Sequence, residues 1–225
     1  MERRELARNY LEGQISRRVF LRRVVALGIT LPAAVAYADL LRADPARAQA
    51  FDYYVYVSDF QYDPATTVLA NAGQIVEFGF AGLNEFAHSA TDPTRVINSG
   101  FKTAGSAYAT AVPYAGTFSY RCKETTHDVM TGRIRVPMSS APTSGPLGTA
   151  FELGWSTISG GPFTFDVQRR RPSEGSFQDW IVDTSNRAVL TKPKVAGTYR
   201  FRSRARRSAT GKVSGWSPVL TIEVT

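Results

Sequence analysis

Apolar positions between residues 51 and 138 fall in short bursts separated by turn formers. YYVYVSDF (53–60), GQIVEFGFAG (73–82), GTFSYRC (116–122) and GRIRVPM (132–138) are rich in Val, Ile, Tyr and Phe with partial alternation of apolar and polar residues. Asp63-Pro64, Asn71-Ala72-Gly73, Thr91-Asp92-Pro93 and Ala115-Gly116 punctuate them. Beta-branched and aromatic residues in period-two runs, closed by Gly, Pro and Asp, predict strands. Several short strands at this spacing predict a Greek-key β-sandwich. After SSAPTSGPLG (139–148) the same grammar resumes with FELGWS, PFTFDVQRR, FQDWIV, GTYRFRSRARR and PVLTIEV. The chain is therefore expected to be all-β, with a sandwich over 51–138, a Ser/Pro/Gly linker over 139–148 and a second sandwich over 149–225.

The first fifty residues read differently. SRRVFLRR (16–23) precedes an apolar run from Val24 to Ala38, and Ala48-Gln49-Ala50 offers a small-residue cleavage site, with Ala36-Tyr37-Ala38 as a second. A basic start, a short apolar middle and a small-x-small end describe an export signal, and Arg17-Arg18 followed by Val19, Phe20 and Leu21 resembles the twin-arginine type. The other reading is an uncleaved membrane anchor, although fifteen apolar residues fall short of the roughly 20 that a spanning helix needs. Residues 1–50 are expected to send the chain out of the cytoplasm, to the periplasm, cell surface or medium.

Charge adds little once that segment is set aside. It holds nine arginines and five acids, so the remainder carries 18 basic and 14 acidic side chains, about +4. Residues 51–138 have six bases and eight acids, residues 146–225 twelve and six. The basicity sits in the signal and the second half, and no nucleic-acid partner is expected.

Scarcity of soft side chains changes the picture more. The 225 residues include one cysteine and two histidines. A lone cysteine makes no internal disulfide, and a free thiol outside the cytoplasm is oxidised unless buried or bound to metal. Cys122 is therefore either an incidental core residue or a ligand. In YRCKETTHDVMTG (120–132), His127 follows it by five positions and Met130 by eight, within the loop joining the last two strands of the first sandwich. His88 comes thirty-odd residues earlier, after another strand, and loops at one end of a sandwich cluster in space.

NEFAHSATD together with GTFSYRCKETTHDVMTGRIRV resembles the cupredoxins, the blue-copper domains of the plastocyanin, azurin and amicyanin type, over residues 55–137. The resemblance implies one type 1 copper ion held by His88, Cys122, His127 and, as a weak axial thioether, Met130. Two imidazoles and a thiolate with a distant thioether suit an ion cycling between Cu(I) and Cu(II), whereas zinc would take a harder fourth ligand. Two departures bear on tuning. Asp128 stands where Pro is common after the second His, and Ser89 where Asn is common after the first; these two are the expected neighbours of the ligands. The resemblance also implies a one-electron carrier, with redox proteins as partners and His127 as the exit route, its surface supplied by Ala111, Val112, Pro113 and the 123–130 loop. Copper storage or delivery, and an adhesion module on a cupredoxin scaffold, are the alternatives. No enzyme is expected, because both histidines belong to one site and neither a Ser/His/Asp set nor a phosphate loop can be assembled.

Residues 149–225 resemble a fibronectin type III domain, with Trp155 on an early strand, Tyr199 at the tyrosine corner and SGWSP (214–218) before the last strand. On 199–206 the alternation puts Tyr199, Phe201, Ser203 and Ala205 on one face and Arg200, Arg202, Arg204 and Arg206 on the other. Those arginines either stack on Trp216 or Trp180 as a cation–π ladder or form a basic face for an anionic cell-surface polymer or membrane.

Overall fold

The computed structural model describes residues 3–27, 29–43, 51–159 and 161–225. In chain order it has α1 (Arg3–Leu11), α2 (Arg17–Ala26), α3 (Leu31–Ala43), β1 (Tyr53–Ser58), β2 (Gln61–Asp63), β3 (Thr66–Val68), β4 (Ile75–Phe80), β5 (Ala107–Ala111), β6 (Gly116–Arg121), β7 (Thr131–Val136), β8 (Ser139–Ala141), β9 (Ser144–Gly145), β10 (Phe151–Gly154), β11 (Phe163–Arg170), β12 (Gln178–Thr184), β13 (Ala188–Thr191), β14 (Gly197–Arg207) and β15 (Leu220–Val224).

The first sandwich pairs a β2-β1-β4-β5 sheet with a β3-β7-β6 sheet. β1 runs parallel to β4, and β3 parallel to β7. Period-two geometry sorts the side chains. Phe118 and Tyr120 of β6 and Ile134 and Val136 of β7 enter the core, while Arg121, Arg133 and Arg135 face water. β4 is instead buried along almost its whole length, and β1 sends Val55 and Val57 inward and Tyr54 and Tyr56 to the opposite face. A strand apolar on both sides needs cover on both sides.

That cover is the amino-terminal segment. α1, α2 and α3 pack together, and rings connect them to β1: Tyr10 stacks on Phe20 (4.5 Å between centroids), Phe20 meets Tyr37 (5.7 Å), and Tyr37 stacks on Tyr54 (5.3 Å). The Thr30 amide donates to Asp63 (3.3 Å), and Ser16 caps α2 by accepting from the Val19 amide (3.4 Å). The apolar run expected as one signal core is divided between α2 and α3. Among the described residues no helix is long and apolar enough to cross a membrane. The Ala48-Gln49-Ala50 cleavage motif lies outside the described residues, while Tyr37 and Ala38 of the second motif are buried in α3.

The second sandwich sets a β12-β11-β14-β15-β9 sheet against a β13-β10-β8 sheet. The Tyr199 hydroxyl donates to the Val195 carbonyl four residues upstream (3.0 Å), as expected of a tyrosine corner. The segment 139–148 is not a free linker. β8 pairs with β10 and β9 with β15, one strand to each sheet. These edge strands contribute backbone hydrogen bonds and few apolar side chains, so their small polar residues read as coil.

The two sandwiches share one continuous buried apolar cluster. Tyr114 packs on Phe163 (4.6 Å) and Phe165 (5.6 Å), the Ala115 amide donates to Trp155 O (2.8 Å), and Thr117 and Gly215 exchange backbone bonds (2.9 and 2.8 Å).

On β14 the alternation is as expected: Tyr199, Phe201, Ser203 and Ala205 are buried and the arginines half-buried. Arg202 lies over Phe177 (4.2 Å) and Trp216 (4.9 Å), and Arg204 over Trp216 (4.6 Å). Trp180 stacks instead with Arg169 (4.9 Å). Buried Asp166, 3% exposed, accepts from Arg204 Nε (2.8 Å) and Arg206 (2.5 Å) and from the Asp183 amide (3.1 Å). Burial alone would raise its pKa; the Asp183 amide and the two guanidiniums outweigh burial and hold it below 3.8. Because the folded value is the lower one, this contribution is complete above about pH 4 and lost as pH falls through the folded value. Asp166→Asn is therefore expected to lose about 2 kcal/mol at neutral pH and to show a shallower decline below about pH 4 in thermal melts; parallel wild-type and variant curves would contradict the assignment.

Candidate metal centre

Cys122 follows β6 directly and Met130 precedes β7 directly, so the antiparallel β6–β7 ladder brings both ends of the 122–130 loop together. The Cys122 amide donates to Met130 O (3.1 Å), the Met130 amide to His127 O (2.9 Å) and the His127 amide to Glu124 O (3.0 Å). These turns fold a nine-residue span tightly and hold His127 under the end of the sandwich. His88 arrives on a separate segment, fixed by backbone bonds with Lys102 (3.0 and 2.7 Å). The adjoining Thr91 pairs with Arg121 at the end of β6.

The structure gathers His88, Cys122 and His127, all buried, with one potential ligand atom from each lying within 4.8 Å of the others. His88 Nδ1 lies 3.9 Å and His127 Nδ1 3.7 Å from Cys122 Sγ. With metal bonds of about 2.1 Å to nitrogen and 2.3 Å to sulfur, values known for zinc, a trigonal ion holds N and S about 3.8 Å apart. The side chains thus fit a metal ion. Met130 is 1% exposed and joined to Cys122 through its backbone.

Ser89 takes the expected place beside the ligands. Its amide donates to Cys122 Sγ (3.4 Å) and its hydroxyl accepts from the Lys123 amide (2.9 Å), bracing the cysteine loop. The Ser89 carbonyl accepts from Tyr62. Burial, reinforced by Cys122 and Tyr120, pushes the Tyr62 phenol far up, so it stays a neutral donor. Asp128 does not take the place expected: it is exposed, and no described hydrogen bond ties it to the site. With no Pro at 128, the loop is held by backbone turns through Glu124, His127 and Met130 instead.

Three neighbours were not legible in the sequence. Asp59, in the β1–β2 turn, accepts from His88 Nε2 (2.8 Å) and from the Glu85 amide (3.1 Å). Desolvation pushes this carboxyl up, but the hydrogen bonds from His88 and Glu85 prevail and its pKa is lowered. Phe60, in the left-handed region at φ 65, and Phe86 meet the His127 ring edge-on at 4.8 and 5.6 Å. Both phenylalanines are about half exposed, whereas His127 is 0% exposed and its Nε2 has no hydrogen-bond partner among the described residues. The imidazole edge expected at the surface is thus roofed by two aromatic rings. Ala111–Pro113 does not supply that surface. β5 pairs Ala111 with Ile75 at the start of β4, the opposite end from Phe80, and Pro113 accepts from Thr157 of the second sandwich.

A buried His-Cys-His cluster at the loop end of a β-sandwich, with the ligand loop between its last two strands, is the arrangement that the cupredoxin resemblance implies, and the second sandwich carries the tyrosine corner that the fibronectin type III resemblance implies. No family model matches the chain, and no curated protein matches it in sequence. Among solved structures it is similar to a mutant amicyanin in its reduced Cu(I) form (20% identity, 37% of this chain and 80% of that one, TM-score 0.33) and to a purple cupredoxin from Nitrosopumilus maritimus (16%, 38% and 99%, 0.32). It is also similar to the fibronectin type III domain of the human fibronectin type III domain containing protein 3 (20%, 39% and 84%, 0.30).

Proposed function

We propose that the protein is an exported one-electron carrier holding one type 1 copper ion on His88 Nδ1, Cys122 Sγ and His127 Nδ1, with the Met130 thioether as a weak axial ligand. The observation that carries this is the burial together, at metal-binding spacing, of the one cysteine and both histidines of the chain. Bound there, copper would supply a Cu(II)/Cu(I) couple, with soft sulfur favouring the reduced ion and imidazole tolerating both. The residues supply rigidity. The β6–β7 ladder, the Ser89 brace and the loop turns fix ligand positions, so little has to reorganise when the charge changes. Phe60 and Phe86 exclude water from His127 and offer an apolar contact for a redox partner protein.

Storage or delivery fits less well, because a donor of metal must let its acceptor reach a ligand. Here Cys122 is 2% exposed and both imidazoles are fully buried. An adhesion scaffold would have no need of the three ligand atoms converging. Both histidines of these 225 residues belong to the one cluster, an arrangement that suits a carrier better than a multi-centre oxidase. Export rests on the twin-arginine pattern of residues 16–23; the amino-terminal mass of the secreted protein decides whether α1–α3 remain on β1. For the arginine stripe, the stacking and Asp166 distances favour the internal ladder over a face for anionic polymer.

Copper titration tests the whole reading. One equivalent of Cu(II) is expected to give an intense blue thiolate band that bleaches on reduction and returns on oxidation. A protein that stays colourless and takes only Cu(I) would be the delivery protein instead; one that binds neither would be the scaffold.

A further inference from the structure

The histidine proposed as the first ligand hydrogen-bonds to a carboxylate. A carboxylate only accepts, so His88 Nε2, 2.8 Å from Asp59 Oδ1, carries the proton. In the neutral imidazole Nδ1, facing Cys122 Sγ, then keeps its lone pair for a metal. Asp59 is itself held in place, since it accepts from the Glu85 amide and lies next to Phe60, whose left-handed backbone tightens the β1–β2 turn. Its side chain is only 26% exposed, so its charge is incompletely screened.

We infer that Asp59 is a positioning residue for the metal: it fixes the tautomer and orientation of His88, and through the imidazole its negative charge favours Cu(II) over Cu(I). This rests on the copper reading above. A carboxylate behind a ligand histidine raises the basicity of the ligand, and a more basic donor set with added negative charge favours the ion of higher charge.

The test compares wild type, Asp59→Asn and Asp59→Ala as full chains. Asn keeps an acceptor oxygen but removes the charge; Ala removes both. In Asp59→Asn the ratio of Cu(II) to Cu(I) affinity is expected to fall about tenfold, the low end of the roughly 10–100-fold effect of such partners. For a one-electron couple that is a rise in reduction potential of about 59 mV. In Asp59→Ala the blue band is also expected to shift, as His88 loses its fixed orientation. Melting curves confirm that both variants are folded. Unchanged potentials in two blue, folded variants would overturn the proposal.

A second arm does not depend on copper. Nitrogen chemical shifts of the metal-free wild type at fixed neutral pH are expected to show His88 protonated at Nε2, with Asp59→Ala giving a tautomer mixture. Protonation at Nδ1 in wild type would overturn the positioning role. If wild type binds no copper, the copper reading fails, and this arm alone upholds or overturns what Asp59 does to His88.

Discussion

Cys122→Ser is expected to remove the blue colour that the proposed copper site would give and to leave both sandwiches folded. The thiolate is the donor whose charge transfer produces the band, and a serine hydroxyl is too weak an acid to replace it as an anionic soft ligand. Copper affinity is expected to fall by more than the roughly 10–100-fold lost when an outer hydrogen-bond partner is removed. The fold is expected to survive because oxygen for sulfur is a small change of shape. The Ser89 amide keeps an acceptor, and the cysteine backbone, bonded to Met130 O, is untouched. Visible absorption and far-ultraviolet circular dichroism measure the two halves of this outcome. A variant that remains blue would show that Cys122 is not the ligand. One that unfolds would make the cysteine a packing residue of the core.

What was legible in the sequence followed from scarcity and periodicity. One cysteine and two histidines, two of the three in a nine-residue loop between strand-like runs, were enough to nominate the ligands. The eight-residue alternation of 199–206 was enough to separate the buried face of β14 from its arginines. Asp59, Phe60 and Phe86 were hidden for the opposite reason. Asp59 and Phe60 lie on a turn far along the chain from the ligands, and only the parallel pairing of β1 with β4 carries that turn to the ligand end of the sandwich; Phe86 stands two residues before His88 but is a common residue type with no periodic pattern to mark it. The same pairing explains the misplaced exit surface, since the register that puts Ala111 opposite Ile75 sends it to the other end. Residues 139–148 misled because edge strands draw on backbone hydrogen bonds, which composition does not record. Residues 1–43 differ again: a segment with the basic and apolar composition of an export signal folds here as three helices, with Tyr37 of α3 stacked on Tyr54.

Trp155→Ala is expected to destabilise both sandwiches at once. Trp155 is 1% exposed and lies where they meet. Its indole donates to Asn186 O (2.6 Å), its amide to Arg187 O (3.0 Å), and its carbonyl accepts from Ala115 of the first sandwich (2.8 Å). Truncation leaves a large cavity and costs about 3–5 kcal/mol, a large share of the roughly 5–15 kcal/mol that holds a typical protein folded. With a urea slope of about 2 kcal/mol per M, a loss of about 4 kcal/mol lowers the midpoint by about 2 M. Two local probes decide whether the loss is shared. Fluorescence of Trp180 and Trp216 reports the second sandwich, and reaction of the Cys122 thiol with a chromogenic disulfide reports the first. Because apolar burial runs without a break from Val55 to Val224, both midpoints in metal-free protein should fall together. A variant in which Cys122 stays protected after the tryptophan signal has changed would show instead that the halves fold as separate units and that their shared core contributes little to either.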